Sequence, residues 1–497
     1  MNLLQKLFLG LWSLGSGSVA AQTTAPAVLQ GRVLHSTDSV VFLAWPRNPL
    51  DATPVLQQVR LGPQGEFHFV LDSLFQPLTA RWGLGRPTRV RHSAGVWLSP
   101  GDTLTMTVDA RRFAPSLRFA GRHASVNFYR AAQQRARTTN FYDAPEGRPE
   151  PRNPARMRAL ADRYRQRAEA VLRAADRQHP LPPALRRQEV AAIRYDWGHA
   201  LLASVYRFEY RSWPQGSVVR RMPEAYYRFL TELPLPQDSL LAHVAYRAFA
   251  RSYATYLLRE RRQQLPFPAF VPRQFSWAYD TVRRAMPTSL TRQYLLAQIL
   301  DEMLRHGSPG DFGSRLIDFQ ALGPQPELAA AVARRAALLA GSRPGQPAPE
   351  ITMTDLAGRP VRWNDFQGKL VYLDVWASWC QPCRADAPAL RALQAQMAPH
   401  AAQLVFVSLS IDANAAAWRR AVAADRLAEA PNQAQLLSQL ANPALRQLWE
   451  QRGVPQCWLV GPDGRIIDAN APHPSNPAAA ATLEATLKSL FGDNPTH

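Results

Sequence analysis

Cysteine is scarce in this chain of 497 residues. The three cysteines are Cys380, Cys383 and Cys457, and the first 379 residues contain none. This scarcity excludes a fold held together by several disulfides, which stabilise many small exported domains. Two cysteines separated by two residues, in a chain otherwise almost free of thiols, indicate redox chemistry or metal binding. A zinc site needs a second pair of cysteines or histidines at ligand spacing, and neither stands nearby, so we expect no metal. The sequence does not imply a nucleotide or a flavin either.

Lysine is almost absent as well. It occurs only at Lys6, Lys369 and Lys488, so arginine supplies nearly all of the positive charge behind the net charge of +20. The excess lies mainly between residues 125 and 344, where basic and acidic residues are interspersed as on solvated helix faces. No nucleic-acid-binding motif accompanies this charge, and we therefore expect no nucleic-acid partner.

Long apolar runs are missing beyond the first residues. No later run reaches the roughly 18 residues that a membrane-spanning helix needs, so no membrane span is expected in the mature chain. The first residues carry one lysine, then an apolar run over 7–14, then small and polar residues over 15–21. This order is typical of a secretory signal peptide, predicted over residues 1–21. The protein is therefore expected to be exported to the periplasm or cell envelope.

Short strand patterns fill the next part of the chain, separated by turn residues at 62–65 and 99–102. The predicted strands span 28–34, 40–45, 55–61, 66–71, 78–84, 96–98 and 103–108. Seven short strands predict an antiparallel, sandwich-like β domain over residues 22–123.

Helical periodicity replaces the strand pattern from residue 124 to residue 341. Apolar residues recur there at three- and four-residue steps, with clear stripes over 240–258 and 290–304. Prolines interrupt the pattern repeatedly, which divides it into several helices. This part of the chain is therefore predicted to be an α-helical domain.

The last third begins with a Gly- and Pro-rich stretch over 342–349, which is predicted to be a linker. Strand and helix patterns then alternate over 350–497, as in an α/β domain. A buried strand over 370–375 leads into the cysteine pair, and a helix follows. The whole chain is thus predicted to be multidomain, with β, α-helical and α/β parts in that order.

The cysteine pair falls where this strand turns into the helix. Unpaired backbone N–H groups and the dipole at a helix N-terminus favour negative charge, so the Cys380 thiolate is stabilised there. The spacing allows Cys383 to attack the mixed disulfide that Cys380 forms with a partner, and to release that partner. We predict that an accessible Cys380 attacks, that Cys383 resolves, and that the two form a redox disulfide.

Several motifs at separate positions agree with one family. They are Trp-Cys-x-x-Cys at 379–383, Pro388, Gly-Val-Pro at 453–455, Gly-Pro-Asp-Gly at 461–464, and hairpin motifs between 349 and 369. Residues 345–497 resemble the thioredoxin superfamily, specifically the exported thiol-disulfide oxidoreductases of the TlpA/ResA type. The region before them resembles the β-module and helical region of bacterial envelope relatives. The resemblance implies a thioredoxin-like fold for the last third.

The resemblance also implies roles for two carboxylates. Asp374 stands where thioredoxins carry a buried acid below the resolving cysteine, and Asp386 stands where ResA-type proteins carry an acid near the pair. Either carboxylate can take the proton of Cys383 when that cysteine becomes a nucleophile. An alternative for Asp386 is an exposed acid that the helix dipole favours in the first turn.

A proline that faces the cysteines through a cis peptide bond is implied at Pro455, where the backbone pairs with a substrate strand. The residues expected to bind the substrate are Trp379, Gln381, Pro382, Val454 and Pro455. Cys457 is interpreted as a small buried apolar residue rather than a third redox thiol.

The direction of electron flow is predicted from Gln381 and Pro382. This pair keeps the proline typical of reductants and lacks the histidine of strong oxidants, which favours a protein-disulfide reductase. The resemblance implies client proteins, with apocytochrome c as one candidate in cytochrome c biogenesis, and an upstream membrane electron donor. Two alternatives stay open. One is a peroxiredoxin-like thiol peroxidase, although the Pro-x-x-x-Thr-x-x-Cys pattern is missing around Cys380; the other is a non-catalytic envelope binding protein with a vestigial redox domain.

Overall fold

The computed structural model describes residues 25–46, 50, 54–74, 77–86, 89–142, 144, 154–212, 222–260, 274–306, 309–429, 433–438, 453–475 and 477–490. The predicted signal peptide over 1–21 lies outside these residues. The chain divides into two compact units, one of Met1–Ala44 with Leu56–Ala131 and one of Trp45–Val55 with Ala132–His497. Within the described ranges, no helix is both long and apolar enough to cross a bilayer.

Short strands dominate the first unit. Their bounds are Ala25–Leu34 (β1), Val40–Pro46 (β2), Pro54–Arg60 (β3), Glu66–Leu74 (β4), Leu78–Arg86 (β5), Arg89–Leu98 (β6), Thr103–Asp109 (β7) and Arg118–Ala120 (β8). They form two four-stranded sheets with the orders β4-β1-β7-β8 and β3-β2-β5-β6. Every second residue of β7 is buried, namely Leu104, Met106 and Val108, because successive side chains of a strand point to opposite faces.

The prediction of an antiparallel arrangement is wrong for one strand pair. β1 and β7 run parallel, with Val28 opposite Thr103 and Leu34 opposite Asp109. Parallel neighbours need a long crossover connection, and the chain from β2 to β6 supplies it. The strand patterns predict where strands lie but carry no information about which strands become neighbours.

Among the described residues, the α-helices of the N-terminal and middle parts of the chain are Phe113–Ser116 (α1), Ala124–Ala136 (α2), Pro154–Gln178 (α3), Pro183–Ser212 (α4), Val244–Leu257 (α5), Gln274–Ala285 (α6), Leu290–His306 (α7), Pro309–Ala321 (α8) and Pro326–Ala340 (α9). Helices α3, α4, α8 and α9 begin at a proline, whose missing N–H is not needed in a first turn. The stripes predicted over 240–258 and 290–304 correspond to α5 and α7. Leu296 and Leu300 of α7 pack in one core with Phe319 and Val332.

The last third contains one seven-stranded sheet. Its elements are Met353–Asp355 (β9), Pro360–Val361 (β10), Leu370–Trp376 (β11), Gln381–Gln396 (α10), Leu404–Ser410 (β12), Ala415–Ala424 (α11), Gln433–Ser438 (β13), Gln456–Val460 (β14), Ile466–Asp468 (β15) and Pro477–Leu490 (α12). The strand order is β10-β9-β13-β12-β11-β14-β15. β11 pairs parallel with β12 and antiparallel with β14, so it lies inside the sheet. The alternation of strands and helices agrees with the predicted α/β arrangement.

Strand β13 has no counterpart among the predicted elements. It carries Gln433 and Gln435, and its polar residues hide the apolar pattern by which a buried strand is recognised. The amide N–H groups of both residues are hydrogen-bonded: Gln433 donates to Ser408 Oγ at 3.0 Å, and Gln435 donates to the carbonyl of Leu427 at 3.2 Å. These hydrogen bonds offset part of the cost of placing amides in the sheet, since neither Oε1 atom has a hydrogen-bond partner among the described residues.

The stretch predicted to be a linker is tied to the sheet in the structure. The N–H of Gly345 donates to the carbonyl of Ile466 at 2.7 Å, and Pro347 forms an isolated β-bridge with Arg465. Just before this stretch, Leu339 of α9 is 3% exposed and belongs to the same core as Val371 of β11. The end of the helical region is therefore anchored to the seven-stranded sheet.

Candidate active site

The cysteine pair lies where β11 ends and α10 begins. Every residue of β11 is buried except Asp374, which is half-buried, because neighbouring strands and helices cover both faces of this inner strand. Cys380 is the N-cap residue of α10 and has an extended backbone, and the helix follows from Gln381. Pro382 occupies the first turn, where a proline costs no helical hydrogen bond.

A disulfide joins Cys380 and Cys383, whose Cα atoms are 5.3 Å apart. The backbone N–H of Cys383 donates to Cys380 Sγ at 3.2 Å, and such a donor stabilises negative charge on that sulfur after reduction. Only 4% of Cys380 and 7% of Cys383 are exposed. The oxidised pair is therefore less accessible than the accessible Cys380 expected from the sequence, because this turn packs against Trp376, Ala387 and Trp418.

The residues expected to contact a substrate surround this turn. Trp379 is 66% exposed, and the side chains of Gln381 and Pro382 are also exposed. Val454 is half-buried and packs against the cluster that contains both cysteines, and the Val454–Pro455 peptide bond is cis. The structure thus brings Val454 to the cysteine pair and leaves an indole, an amide and a proline ring accessible beside it.

A buried carboxylate that the motifs do not single out holds the turn that precedes Cys380. Asp412 is 5% exposed and accepts hydrogen bonds from the backbone N–H of Ser378 at 2.8 Å and from its hydroxyl at 2.7 Å. The hydroxyl of Ser410 donates to the same carboxylate at 2.7 Å. Asp412 follows β12, and β11 and β12 end at the same sheet edge, so its position after a predicted strand is the signal that could have identified it.

Asp374 projects from β11 and stands opposite Cys457 of β14. Together with Cys383, Asp386 and His473, it lines a small cavity behind the disulfide. Burial raises the pKa of Asp374 to about 7; the His473 imidazole opposes this shift, and the Asp386 carboxylate reinforces it. A carboxyl group with this pKa can both accept and return a proton near neutral pH.

Asp386 lies one turn along α10 from Cys383 and is paired. Its Oδ2 is 3.4 Å from His473 Nδ1, and its side chain is 23% exposed. Burial alone would raise the pKa of Asp386. Hydrogen bonds with His473 and Ser475 and the electrostatic attraction of His473 outweigh the effect of burial, so the pKa of Asp386 is lowered. The two carboxylates of one cavity therefore have pKa values displaced in opposite directions.

Cys457 is a third buried cysteine, and its exposure is similar to that of Cys380 and Cys383. It is 3% exposed, and its sulfur is 3.4 Å from His473 Nδ1. Burial raises the pKa of this thiol well above its usual range, and the charges of Asp374 and Asp386 raise it further. These properties support its interpretation as a packed thiol that does not react.

A chain with both Cys380→Ser and Cys383→Ser keeps Cys457 as its only cysteine. We expect iodoacetamide to leave this folded variant unmodified during the time in which it fully alkylates the same variant in denaturant, because a thiol of raised pKa holds little thiolate. Mass spectrometry of the intact chain measures both. Rapid alkylation of the folded variant would contradict the packed interpretation.

Comparison with known proteins identifies the class of this part of the chain. Residues 344–469 match the model of the AhpC/TSA family. This segment is a thioredoxin-like domain, and it contains the strand, the cysteine pair and the cis proline described above.

Its particular relatives are thiol-disulfide oxidoreductases, which confirms the resemblance predicted from the motifs. The chain is 41% identical over 58 residues to the thioredoxin-like protein YneN of Bacillus subtilis, covering 12% of this chain and 34% of that protein. It is 41% identical over 49 residues to the thiol-disulfide oxidoreductase ResA of Bacillus thuringiensis, covering 10% and 28%. The chain thus spans about a third of the length of the curated relatives it matches.

Solved structures of proteins named as thiol-disulfide oxidoreductases are also similar to this part of the chain. A putative thiol-disulfide oxidoreductase from Bacteroides vulgatus is 35% identical, with a TM-score of 0.26, and the match covers 31% of this chain and 95% of that one. The thioredoxin domain of another thiol-disulfide oxidoreductase from the same organism is 28% identical, with a TM-score of 0.24, covering 30% and 96%.

Proposed function

We propose that the protein is an exported thiol-disulfide oxidoreductase that reduces protein disulfides through Cys380 and Cys383. The observation that carries this proposal is the disulfide at the start of α10, with a backbone N–H directed at Cys380 Sγ and a two-carboxylate cavity behind Cys383. These features supply a stabilised attacking thiolate, a resolving thiol and acceptors for its proton.

The reaction begins with the reduced pair. The Cys380 thiolate attacks one sulfur of a client disulfide, which breaks the client S–S bond, forms a mixed disulfide and releases the other client sulfur as a thiolate. Cys383 then loses its proton and attacks Cys380 Sγ, which forms the Cys380–Cys383 disulfide and releases the second client thiolate. The client gains two electrons and, with two protons from solvent, becomes a dithiol; the protein loses the same two electrons. An upstream donor must return them for the next cycle.

The carboxylates take the Cys383 proton during the second step. Asp374 is about half ionised near neutral pH, because burial raises its pKa to about 7, and it can therefore accept a proton. Asp386 remains ionised there, because pairing with His473 lowers its pKa. The negative charge of Asp386 favours the presence of a proton on the neighbouring groups of the cavity. We propose Asp374 and Asp386 as the acid–base residues of this step.

The client binds across the exposed surface around the pair. Trp379 offers an accessible indole, and Gln381 and Pro382 lie beside it on the first turn of α10. Val454 packs against the cluster that contains the pair, and we propose that the backbone of Val454 and Pro455 pairs with an extended client segment. The proposed clients are proteins with disulfides, with apocytochrome c as one candidate. The composition of the first 21 residues supports export to the periplasm or envelope.

A thiol peroxidase is the second candidate, and the match to the AhpC/TSA model favours it. In that reaction, the Cys380 thiolate would attack one oxygen of a peroxide, which breaks the O–O bond, forms a sulfenic acid and releases water or an alcohol. Cys383 would then condense with the sulfenic acid, which forms the disulfide and releases water.

One pair of assays separates the two reactions. The wild-type protein is expected to reduce insulin disulfides with dithiothreitol as terminal reductant, and Cys380→Ser is expected to lower the rate by about a hundredfold or more, because the attacking thiolate is lost. Rapid consumption of hydrogen peroxide without insulin reduction would favour the peroxidase. Equal insulin reduction by wild type and Cys380→Ser would refute the proposed function.

A further inference from the structure

We propose that His473 is a positioning residue for the resolving half of the reaction, which holds the Asp386 carboxylate at the cavity that Cys383 lines. This inference rests on the proposed function and adds a residue from a loop that none of the sequence motifs includes. His473 touches neither sulfur of the disulfide in the described contacts, so it acts through the carboxylate.

The loop after β15 is fixed so that it delivers this histidine. The hydroxyl of Tyr372 donates to the carbonyl of Pro472 at 2.8 Å, and the N–H of Ala471 donates to the carbonyl of Cys457 at 2.8 Å. Tyr372 belongs to β11 and Cys457 to β14, so two inner strands of the sheet hold the residues that precede His473. The imidazole is therefore placed by the backbone of the core rather than by its own contacts alone.

The imidazole contacts two functional groups through one nitrogen. Nδ1 is 3.4 Å from Asp386 Oδ2 and 3.4 Å from Cys457 Sγ. Its side chain is 33% exposed, while Asp386 is 23% exposed and Cys457 is 3% exposed. His473 thus stands at the solvent end of the cavity, with the carboxylate next to it and the buried thiol beneath it.

The charge balance of the cavity shows what this contact does. The titratable and charged groups that line the cavity or interact with it from each packed element are Tyr372 and Asp374 of β11, Cys383, Arg384 and Asp386 of α10, and Cys457 of β14. The guanidinium of Arg384 is engaged by Asp425 through contacts of 2.6 and 2.8 Å. His473 is therefore the basic side chain placed against Asp386, and it acts on Asp374 as well.

Removal of the imidazole should accordingly raise the pKa of both carboxyl groups. The hydrogen bond and charge of His473 lower the pKa of Asp386, and its charge also limits the burial-driven rise at Asp374. Because the resolving step needs an ionised acceptor, a higher carboxyl pKa moves the rising limb of the pH–rate profile to higher pH.

The test compares His473→Gln with His400→Gln, a half-buried histidine of the same domain that lies outside the site. For His473→Gln, kcat/KM for insulin is expected to fall about tenfold at pH 6 and to approach the wild-type value at pH 9, which is a shift of about one pH unit. His400→Gln is expected to keep the wild-type profile. A loss by the same factor at every pH, or an unchanged profile, would overturn the inference.

A second measurement does not depend on turnover. Aspartate labelled with 13C at the side-chain carboxyl, assigned with Asp374→Asn and Asp386→Asn, reports the titration of each group by NMR. The Asp386 midpoint is expected to rise in His473→Gln, and an unchanged midpoint would overturn the inference. If the wild type fails to reduce insulin while this midpoint moves, the proposed function fails and the positioning contact stands.

Discussion

Replacing Cys383 with serine is expected to turn the protein from a catalyst into a trap for its clients. In Cys383→Ser, Cys380 still forms the mixed disulfide, but the serine hydroxyl cannot displace the client sulfur, because it is far less acidic and less nucleophilic than a thiol. Turnover of insulin is expected to fall by about a hundredfold or more, and covalent adducts should accumulate. Non-reducing gels show these adducts, dithiothreitol removes them, and mass spectrometry identifies the attached chains.

The matched controls use the other two cysteines. The variant with both Cys380→Ser and Cys383→Ser is expected to form no adducts, because burial and the nearby carboxylates raise the pKa of its remaining thiol, Cys457. Cys380→Ser alone should form few, because Cys383 lines the cavity and the backbone N–H that stabilises a thiolate is directed at position 380. If the double variant formed as many adducts as Cys383→Ser, the attack would come from Cys457 and the assignment of Cys380 would be wrong.

The second large effect concerns stability. Asp374→Asn is expected to stabilise the folded protein at pH 8 by on the order of 3 kcal/mol, because burial raises the pKa of this carboxyl to about 7 and the ionised form is unfavourable in the folded state. The folded state binds more protons than the unfolded state between the two pKa values. The wild type therefore loses stability as the pH rises from about 4 to about 7, and the asparagine variant should not show this loss.

Asp386→Asn is the matched control, because its expected change has the opposite sign. Pairing with His473 lowers the pKa of Asp386, so its ionised form stabilises the fold above the unfolded pKa, and this stabilisation is lost as the pH falls through the folded pKa. The variant should be less stable than wild type at pH 8. Urea unfolding at pH 5 and pH 8 measures both differences. An Asp374→Asn variant with wild-type stability at pH 8 would show that this carboxyl titrates normally.

The gain in stability should coincide with a loss of activity. An asparagine at position 374 cannot take the Cys383 proton, so release of the client should slow. A loss of activity together with a gain in stability would show that the wild-type aspartate favours catalysis at the expense of stability, as the proposed function requires.

The centre of the site could be predicted from the sequence because its parts are adjacent along the chain. An apolar run that ends in Trp-Cys-x-x-Cys specifies a buried strand, a turn and a helix start, and the sulfurs follow from that geometry. Asp374 and Asp386 lie within the same stretch, and the resemblance to the TlpA/ResA type implies their place near the pair.

The outer parts of the site could not be predicted, because tertiary contacts create them. His473 lies in a loop after β15 and meets Asp386 only through hydrogen bonds that the sheet makes to Ala471 and Pro472. Strand β13 escaped prediction for a related reason, since Gln433 and Gln435 look like surface residues until their hydrogen-bond partners are known. The periodicity of apolar residues in the sequence indicates local secondary structure, but it does not determine which residues contact one another in the folded chain.

The pairing of residues 345–348 with the sheet has a practical consequence for dividing the chain. Cutting at residue 350 would remove Pro347 from its bridge to Arg465 and take Leu339 out of the core. The shortened product would present an uncovered strand and an apolar hole, both of which favour self-association. A fragment that begins just before α9 keeps Leu339 and Pro347 in place but separates Val332 from its core partners Leu296, Leu300 and Phe319. The redox part should therefore be expressed together with the helical region.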